Sequence, residues 1–571
     1  MTLRNAYTLA LAGLMAAGLT LQPAPAAACG GFFCDNSQPV NQEAEGIIFA
    51  QEPDGTVTAV IQIQYEGPSE RFAWMLPVSG SPDISVSSNA AFTRLQAASN
   101  PQYTMTRTVE GTCRDGDFAF GGAPTADGLA VDLGVGFEDA GSMENPITVV
   151  DEGSVGPYDF VLIAIDPEAS DLVGLAIEWL QDNGYDVPDM GSDVLRPYLE
   201  AGQNLLAFRL TKGNDAGAIR PVRLSFGEGL PSIPLRPTAI ATVPDMGIMV
   251  WVLGPSRAIP ANYRSLELNE ALINWFNPNS NYDDVVSRAA NEAQGQGFVT
   301  EMSGSAPELG AVVWNEFEQS SWDRLRSEDW TGREGDLVGR SGDFFFLDGM
   351  REVLEAHLTP PEGVSADEFF ACIGCYVEFS ARDIEGFEPA DFLADMAENV
   401  INPMVETQEL FERTAVQTRM YTTMSADEMT MDPVFDFNAD LPEVSNRHTA
   451  ERIIECSPGV FQNDAPWRVE LASGDVVRGE GNTWPFDLDT TDMPASARIK
   501  RVGTSGEGNV EEDNTADISQ SLATHNRTIP GPPVRVAGSG FCSASPAGQS
   551  AAGFGILGLA LGALLFRRRQ V

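Results

Sequence analysis

The sequence predicts an α+β protein, with a β-rich N-terminal half and a helix-rich C-terminal half that form either two domains or one composite domain. Apolar residues alternate with polar ones over 57–65, which is the period of a half-buried strand. Over 172–180 the apolar residues recur at helical spacing. From residue 266 the helical period dominates, so the change of period marks the border between the two halves.

The N-terminal half contains a series of predicted strands. The first two, 46–50 and 57–65, flank Pro53-Asp54-Gly55, which is turn chemistry. A helix that contains 172–180 interrupts the series, with Ser170 as its predicted cap and Asn183-Gly184 as its end. The later strands are apolar runs, namely 71–78, 159–165, 205–210 and 247–254.

The C-terminal half is predicted to be mainly helical. Residues 266–276 (LELNEALINWF) and 283–294 (DDVVSRAANEAQ) have helical apolar spacing. The motif Ser-Ala-Asp-Glu occurs at 365–368 and 425–428, and each copy predicts a helix start, because Ser at the N-cap and Glu three residues later form a capping box. Residues 467–481 return to strand and turn.

Composition narrows the classes of partner. The chain has 571 residues, 43% hydrophobic content and a net charge of −48, with Lys212 and Lys500 as its two lysines. Recognition of phosphates depends on Lys and Arg, so this charge disfavours nucleic acid and anionic lipid headgroups. An acidic, lysine-poor surface of this kind is typical of a salty habitat, and calcium binding is the alternative interpretation.

The N-terminus has the pattern of a secretory signal peptide over residues 1–28. Arg4 supplies the positive charge, 7–21 is apolar, and Ala26-Ala27-Ala28 fits the small-residue cleavage rule. The mature chain is therefore expected to begin at Cys29. Export places the protein in an oxidising compartment, where disulfides are stable.

The C-terminus is predicted to hold the protein at a membrane. Residues 501–548 are rich in Gly, Ser, Pro and acidic residues and predict a flexible stalk. Within 549–571, the apolar run 551–566 predicts a short transmembrane helix or a sorting tail, and it precedes three arginines that the positive-inside rule keeps cytoplasmic: Arg567, Arg568 and Arg569. The globular part between signal and stalk divides into a β-rich region over 29–265 and a helix-rich region over 266–500.

The cysteines predict disulfides. Seven are present, and six remain if Cys542 belongs to the C-terminal tail. Local pairing of Cys29 with Cys34 and of Cys372 with Cys375 leaves Cys113 to pair with Cys456. Lipidation of Cys29 is an alternative, although the residues before it lack the large aliphatic side chain of a lipoprotein signal.

The Cys372–Cys375 pair, a C-x-x-C motif, has two further interpretations. A thiol-disulfide redox site needs a thiolate, and the acidic residues Asp367 and Glu368 disfavour one. A zinc site would need additional ligands, for which His357 and His448 are the candidates. The segment is predicted to lie inside a helix that begins at Ser365, which favours a structural disulfide.

Other signatures of catalysis and metal binding are weak. The sequence has three histidines, and none lies in an H-E-x-x-H motif. Asp436, Asn438 and Asp440 alternate as in the start of an EF-hand loop, but Leu441 replaces the turn glycine and Arg447 the final glutamate. Calcium at these three residues is therefore a weak candidate, and no cofactor is expected.

Several segments resemble one bacterial secreted family, called domain of unknown function 2330. They occur in the same order as in the family and cover 29–450: ACGGFFC (28–34), FAWMLPV (72–78), WLQDNGY (179–185), IRPVRLSF (219–226), IPLRPTAIA (233–241), CIGCYV (372–377) and TRMYTTMSADEMTMDPVFDFN (418–438). The C-terminal tail, with Cys542 and the final arginines, resembles the sorting signals called MYXO-CTERM. These resemblances imply an exported envelope protein of a Gram-negative bacterium, with a membrane and a sorting protease as partners, and they imply no activity.

These observations favour a non-enzymatic protein that is membrane-anchored or displayed on the cell surface, where it binds or scaffolds an extracellular ligand. One alternative is a secreted hydrolase that uses Asp and Glu carboxylates or a metal. A deep cleft with paired buried carboxylates would favour that enzyme. The second alternative is a thiol-disulfide redox protein that acts through Cys372 and Cys375.

Overall fold

The computed structural model describes residues 41–66, 73–114, 147–166, 168–183, 191–210, 219–240, 242–379 and 384–529. Its strands are β1 (Asn41–Gln51), β2 (Thr56–Glu66), β3 (Ala73–Val78), β4 (Asp83–Val86), β5 (Gln102–Gly111), β6 (Ile147–Val155), β7 (Tyr158–Ile165), β8 (Asn204–Leu210), β9 (Val222–Glu228), β10 (Thr242–Gly254), β11 (Arg257–Pro260), β12 (Arg264–Leu268), β13 (Gly297–Ser305), β14 (Val416–Met424), β15 (Phe435–Asn438), β16 (Arg447–Cys456), β17 (Trp467–Leu471), β18 (Val476–Gly479), β19 (Ser496–Arg501) and β20 (Asn509–Asp513).

The helices are α1 (Asn89–Ser99), α2 (Leu172–Asp182), α3 (Gly191–Glu200), α4 (Leu235–Thr238), α5 (Tyr282–Glu292), α6 (Ala306–Gly310), α7 (Glu316–Ser327), α8 (Glu334–Arg340), α9 (Met350–His357), α10 (Ala366–Ala371), α11 (Ile373–Tyr376), α12 (Pro389–Met396), α13 (Asn402–Arg413) and α14 (Thr515–Asn526). Short 3-10 turns cover Pro278–Ser280 and Ser341–Phe344, and a π-helical turn covers Ala397–Ile401. Helices concentrate in the C-terminal part and strands in the N-terminal half, which confirms the α+β prediction.

The strands form one large sheet and three smaller ones. Sheet one has the order β20-β19-β12-β13-β14-β10-β1-β2-β9-β4. Sheet two has the order β3-β8-β7-β6, sheet three has the order β18-β17-β16-β5, and β11 pairs with β15. Most pairs are antiparallel, whereas β1 with β10, β12 with β13, and β5 with β16 are parallel.

The centre of the protein is a stack of four layers. Helices α2 and α3 cover one face of sheet two, whose other face packs on sheet one through Trp74 and Phe208. The opposite face of sheet one packs against the helices between residues 306 and 413. Strand β1 shows how the sequence encodes this arrangement, because Ile47 faces sheet two and Ile48 faces the helices. Both faces of β1 are therefore apolar, as expected for a strand buried on two sides.

Sheet one draws its strands from both halves of the chain. The predicted border at residue 265 falls inside β12 (Arg264–Leu268). Strand β14 (Val416–Met424), from the helix-rich half, lies between β10 and β13 and pairs with both. The two predicted regions consequently share one hydrogen-bonded sheet.

The predicted stalk at 501–548 requires a correction for its first part. Residues 509–513 form β20 at the edge of sheet one, and 515–526 form α14. Ile518 and Leu522 lie one turn apart on α14 and are buried in the core beside sheet three. Two apolar residues at this spacing anchor the helix although the surrounding composition is polar. Residues 530–548 lie outside the described part.

Two predicted helices are also wrong. The segment 266–276 begins as β12, because Leu266 and Leu268 pair with β19. The second Ser-Ala-Asp-Glu motif forms a turn after β14, where the Glu428 carboxylate accepts a hydrogen bond from the Ser425 N–H. The first motif does start a helix, since the Ser365 side chain caps α10 by accepting from the Glu368 N–H at 3.3 Å.

One acidic side chain lies in the interior between sheets one and two. Glu45 on β1 is opposite Ile63 on β2 and Ile248 on β10, and its Oε2 has no hydrogen-bond partner. Burial raises the pKa of Glu45 from its ordinary value of 4.5 to about 7. Between pH 4.5 and 7, the Glu45 carboxyl is therefore protonated in the native state and ionised in the unfolded chain.

Glu45 should make the folded state less stable as pH rises. A carboxyl whose pKa is raised on folding favours the folded state at low pH, and this contribution is lost as pH rises through the folded pKa. The free energy of unfolding should therefore fall between pH 4.5 and 7, by about 3 kcal/mol for a shift of this size. Urea unfolding of Glu45→Gln, measured at pH 4.5 and 7.5, should lack this decrease. The surface variant Glu398→Gln should retain it, and equal slopes for the native chain and Glu45→Gln would contradict the assignment.

Candidate functional site

The structure joins four of the six predicted disulfide cysteines. Cys113, just after β5, is bonded to Cys456 at the end of β16, and 343 positions separate the two in sequence. Cys372 is bonded to Cys375. Both pairings are those that parity and spacing predict. The remaining pair, Cys29 and Cys34, lies outside the described residues.

The Cys372–Cys375 segment differs from its prediction in one respect. Helix α10 ends at Ala371, and Cys372 is the residue between α10 and the short helix α11. The disulfide therefore lies at a break between two helices and not inside one. Both cysteines are exposed, while Ile373 between them is buried in the helical core.

The calcium candidates have other roles in the structure. Asn438 ends β15 and is fully buried, and its side-chain N–H groups donate to the carbonyls of Gly503 and Gly506. Asp440 accepts from the Gly506 N–H at 2.8 Å, and Asp436 accepts from the N–H of the next residue. Asn438 and Asp440 thus tie the 503–506 loop to the end of β15. Across the described ranges, no group of three or more His, Cys, Asp or Glu side chains is arranged to hold a metal ion.

Several predictions fall on residues that the structure does not describe. These are the signal peptide at 1–28, the C-terminal tail at 549–571, Cys542, Arg567, Arg568 and Arg569. In the part of the chain from 41 to 529 that is described, no helix combines the length and the apolar character required to cross a bilayer. The transmembrane segment predicted at 551–566 therefore stays a prediction.

A pocket of about 160 Å³ lies where the strand-rich half meets the helices. Residues from three parts of the chain line it: the β6–β7 turn, the segment before β9, and the region from α9 to the π-helical turn. The lining residues are Gly156, Pro157, Arg220, Gly349, Glu352, Val353, Ala356, Asp395 and Asn399. We call it the Arg220 pocket.

Arg220 forms the floor of this pocket and is 6% exposed. Its Nε donates to the carbonyl of Ser87 at 3.1 Å, and its backbone N–H donates to the Tyr158 hydroxyl at 2.8 Å. Its Nη2 is buried without a hydrogen-bond partner, and the guanidinium forms no ion pair with any residue that the structure describes. Burial lowers the pKa of Arg220, and the charges of Asp348 and Glu352 act in the opposite direction.

The backbone beside Arg220 is packed too closely for side chains. Gly349 has φ +82, and a Cβ there would lie 2.8 Å from Arg220 Nη1 and 2.4 Å from the carbonyl oxygen of Asn399. Asn399 belongs to the π-helical turn Ala397–Ile401 that separates α12 from α13. π-helical turns are rare in proteins, and those that occur are often found at functional sites. The positive φ and the missing Cβ at Gly349 therefore let two backbone segments meet at the guanidinium.

The rim of the pocket is acidic. Glu352 on α9 is exposed and has no hydrogen bond or ion pair with the described residues. Asp395 on α12 is half-buried, and its Oδ2 lies 2.7 Å from His357 Nε2. His357 packs edge-on against Phe387 and Phe392, which fixes its ring. The rim thus offers one free and one partnered carboxylate above a cationic floor.

A third acid near Arg220 is committed to another role. Asp348 precedes the pocket glycine, and its Oδ2 accepts from the Ser88 hydroxyl at 2.7 Å and from the Asn89 N–H. These contacts satisfy donors at the start of α1 (Asn89–Ser99), where a carboxylate is favourable. Asp348 therefore holds the start of α1 beside the pocket and forms no ion pair with Arg220.

A second pocket, of about 270 Å³, lies between α7 and α8. Two of its charged groups are in ion pairs, since Glu328 contacts Arg333 at 3.3 Å and Arg340 contacts Asp336 at 3.0 Å. Glu45 and Glu301, two fully buried carboxyls, line neither of these two pockets. The Arg220 pocket is smaller, but it is lined by a buried guanidinium with an unpartnered nitrogen, which the lining of the second pocket lacks, and it is the stronger candidate site.

The layered sheets, the two disulfides and this pocket define an α+β protein with a small pocket between its strand-rich and helical parts. The chain belongs to the family described as an uncharacterized protein conserved in bacteria, domain of unknown function 2330, whose sequence profile matches residues 23–313. Segments 372–377 and 418–438, which also resemble the family, lie beyond that match. No curated protein and no solved structure matches the chain.

Sequence reasoning did not find the pocket. Arg220 lies between Ile219 and Pro221, and an arginine in an apolar run was the available signal for a buried charge. The family match includes Arg220 and Gly156, whereas Glu352, Asp395 and Asn399 lie outside it.

Proposed function

We propose that this chain is an exported protein, held at the cell envelope, that binds a small carboxylate-bearing molecule in the Arg220 pocket. The buried guanidinium of Arg220 carries the proposal. A charge removed from water is costly unless it is paired; Arg220 lines the pocket, and its buried Nη2 has no hydrogen-bond partner among the described residues. An anionic ligand would supply the missing partner.

The chemistry of the pocket favours a monocarboxylate. A guanidinium presents a planar fork that matches the two oxygens of a carboxylate. Arg220 is the one guanidinium in the lining, and the rim carries the carboxylates of Glu352 and Asp395. These two carboxylates would repel a dianion such as phosphate more strongly than a monoanion. A volume of about 160 Å³ limits the ligand to a few heavy atoms beyond the carboxylate.

The location of the protein rests on the sequence. The signal peptide pattern at 1–28 supports export, and the apolar run with terminal arginines at 549–571 supports attachment to a membrane or recognition by a sorting protease. The Cys113–Cys456 disulfide is compatible with an oxidising compartment. An exposed binding pocket on an envelope protein would meet its ligand outside the cytoplasm.

Isothermal titration with propionate tests the proposal. We expect saturable binding in about the millimolar range, because a ligand of this size has few atoms with which to gain affinity. Arg220→Met should abolish binding, since Met keeps the volume and removes the charge.

A second variant keeps the test decisive if Arg220→Met does not fold. Ala356→Trp introduces a large side chain at an exposed rim position and should block the pocket. The matched control is Ala394→Trp, at an exposed position on α12 that does not line the pocket. Binding of propionate that survives both Arg220→Met and Ala356→Trp, or no binding to the native chain, would refute the proposal.

A further inference from the structure

The acidic rim indicates a second charged group on the ligand, in addition to the carboxylate. Glu352 is a free carboxylate, and Asp395 is a carboxylate whose partner is His357. A simple carboxylate on Arg220 would satisfy the floor and leave both acids facing its negative charge. A ligand that also carries a cation would satisfy floor and rim together, because the two charges of the pocket have opposite sign.

Asn399 adds an acceptor to the lining of the pocket. Its Nδ2 donates to the Asp395 carbonyl at 3.1 Å, which fixes the amide and leaves its Oδ1 as an acceptor. An ammonium group has three donors and needs several acceptors. Glu352, Asp395 and Asn399 are three lining side chains with acceptor oxygens of the required kind.

The rest of the lining is apolar. Pro157 and Val353 are buried, and Ala356 lies at the rim. This surface offers no charged or amide partner to a ligand side chain, and its extent is small. A ligand with a branched or short aliphatic group would therefore fit, whereas a large aromatic group would exceed the space of about 160 Å³.

We infer that the ligand is a free α-amino acid with a small aliphatic side chain, such as alanine or valine. Its carboxylate binds Arg220, its ammonium lies between Glu352 and Asp395, and its side chain packs on Val353. This inference rests on the proposed carboxylate-binding function and adds the ammonium and the side chain to it.

Paired titrations with alanine and propionate separate the ammonium from the carboxylate. The two ligands differ by the amino group, so alanine should bind at least about tenfold more tightly, as is typical of a charged hydrogen bond. Glu352→Gln should weaken alanine binding about tenfold and leave propionate unchanged or tighter. Glu398→Gln, an exposed acid that does not line the pocket, should change neither. Valine should bind and tryptophan should not.

The outcomes distinguish the two proposals. If propionate and alanine both fail to bind, the carboxylate-binding function is wrong and the inference falls with it. If alanine binds no more tightly than propionate and Glu352→Gln affects neither, the function stands and the amino-acid inference is overturned. If alanine is preferred but Glu352→Gln leaves that preference intact, the assigned ammonium position is overturned.

Discussion

A fragment that ends at residue 313, where the family match ends, is expected not to fold. Within sheet one, β14 (Val416–Met424) lies between β10 and β13, and nine register pairs join it to β10. Removal of β14 exposes the backbone groups of two central strands. The helices α7 to α13, which form most of the layer that covers Trp251 and Ile48 on the same sheet, are lost as well. Exposed strand edges and an uncovered apolar face favour aggregation.

The test compares fragment 29–313 with fragment 29–529 under oxidising conditions. The longer fragment contains every described strand of sheet one and should show a cooperative urea transition. The shorter one should be insoluble or lack a cooperative transition. A cooperative transition in the shorter fragment would show that the matched region is an independent domain.

Among single substitutions, one that breaks the buried ion pair between Glu301 and Arg419 is expected to destabilise the folded state most. Glu301 on β13 and Arg419 on β14 are almost fully buried, and Arg419 Nε lies 2.7 Å from Glu301 Oε2 in an ion pair that is not aligned as a hydrogen bond. The Tyr282 hydroxyl donates to Glu301, and Arg419 Nη1 donates to Ser99 at 3.0 Å. Burial raises the pKa of Glu301 and the charge of Arg419 lowers it.

Arg419→Met would leave Glu301 buried without its counter-ion. We expect a loss of about 3–5 kcal/mol in the free energy of unfolding, measured by urea denaturation. Glu301→Gln in the same chain should recover part of the loss, because it removes the unpaired charge. The surface variant Arg326→Met, which breaks an exposed pair with Asp323, should change stability little. A small effect of Arg419→Met would show that Glu301 does not depend on Arg419 as its counter-ion.

The fold class could be predicted because local periods report burial. Strands β1, β2 and β10 alternate between two buried faces, and the turn at Gly55 has the positive φ that its glycine permits. The strand order could not be predicted, since β1 pairs in parallel with β10, which lies far along the chain. Local signals also misled at Ser425, where the capping residues form their contact without a helix.

The disulfides could be predicted from parity and spacing, whereas the pocket could not. Arg220, Glu352 and Asn399 have no shared motif, and the fold brings them together from separate segments. A buried arginine indicates a functional site only when the residues around its guanidinium are known, and the sequence alone does not show which residues these are. Asn438 lies in a pattern that resembles an EF-hand, and the sequence contains no signal that its amide holds a loop through the carbonyls of Gly503 and Gly506.

The bond between Cys113 and Cys456 changes what a single cut in the backbone would do. It joins β5 to β16 and encloses most of the folded chain in one covalent ring. A single cleavage of the backbone anywhere between residues 114 and 455 therefore opens the ring without separating the two pieces. A protease that nicks an exposed loop in this range would leave every part of the molecule attached to its C-terminal end until a reductant or a second cut released it.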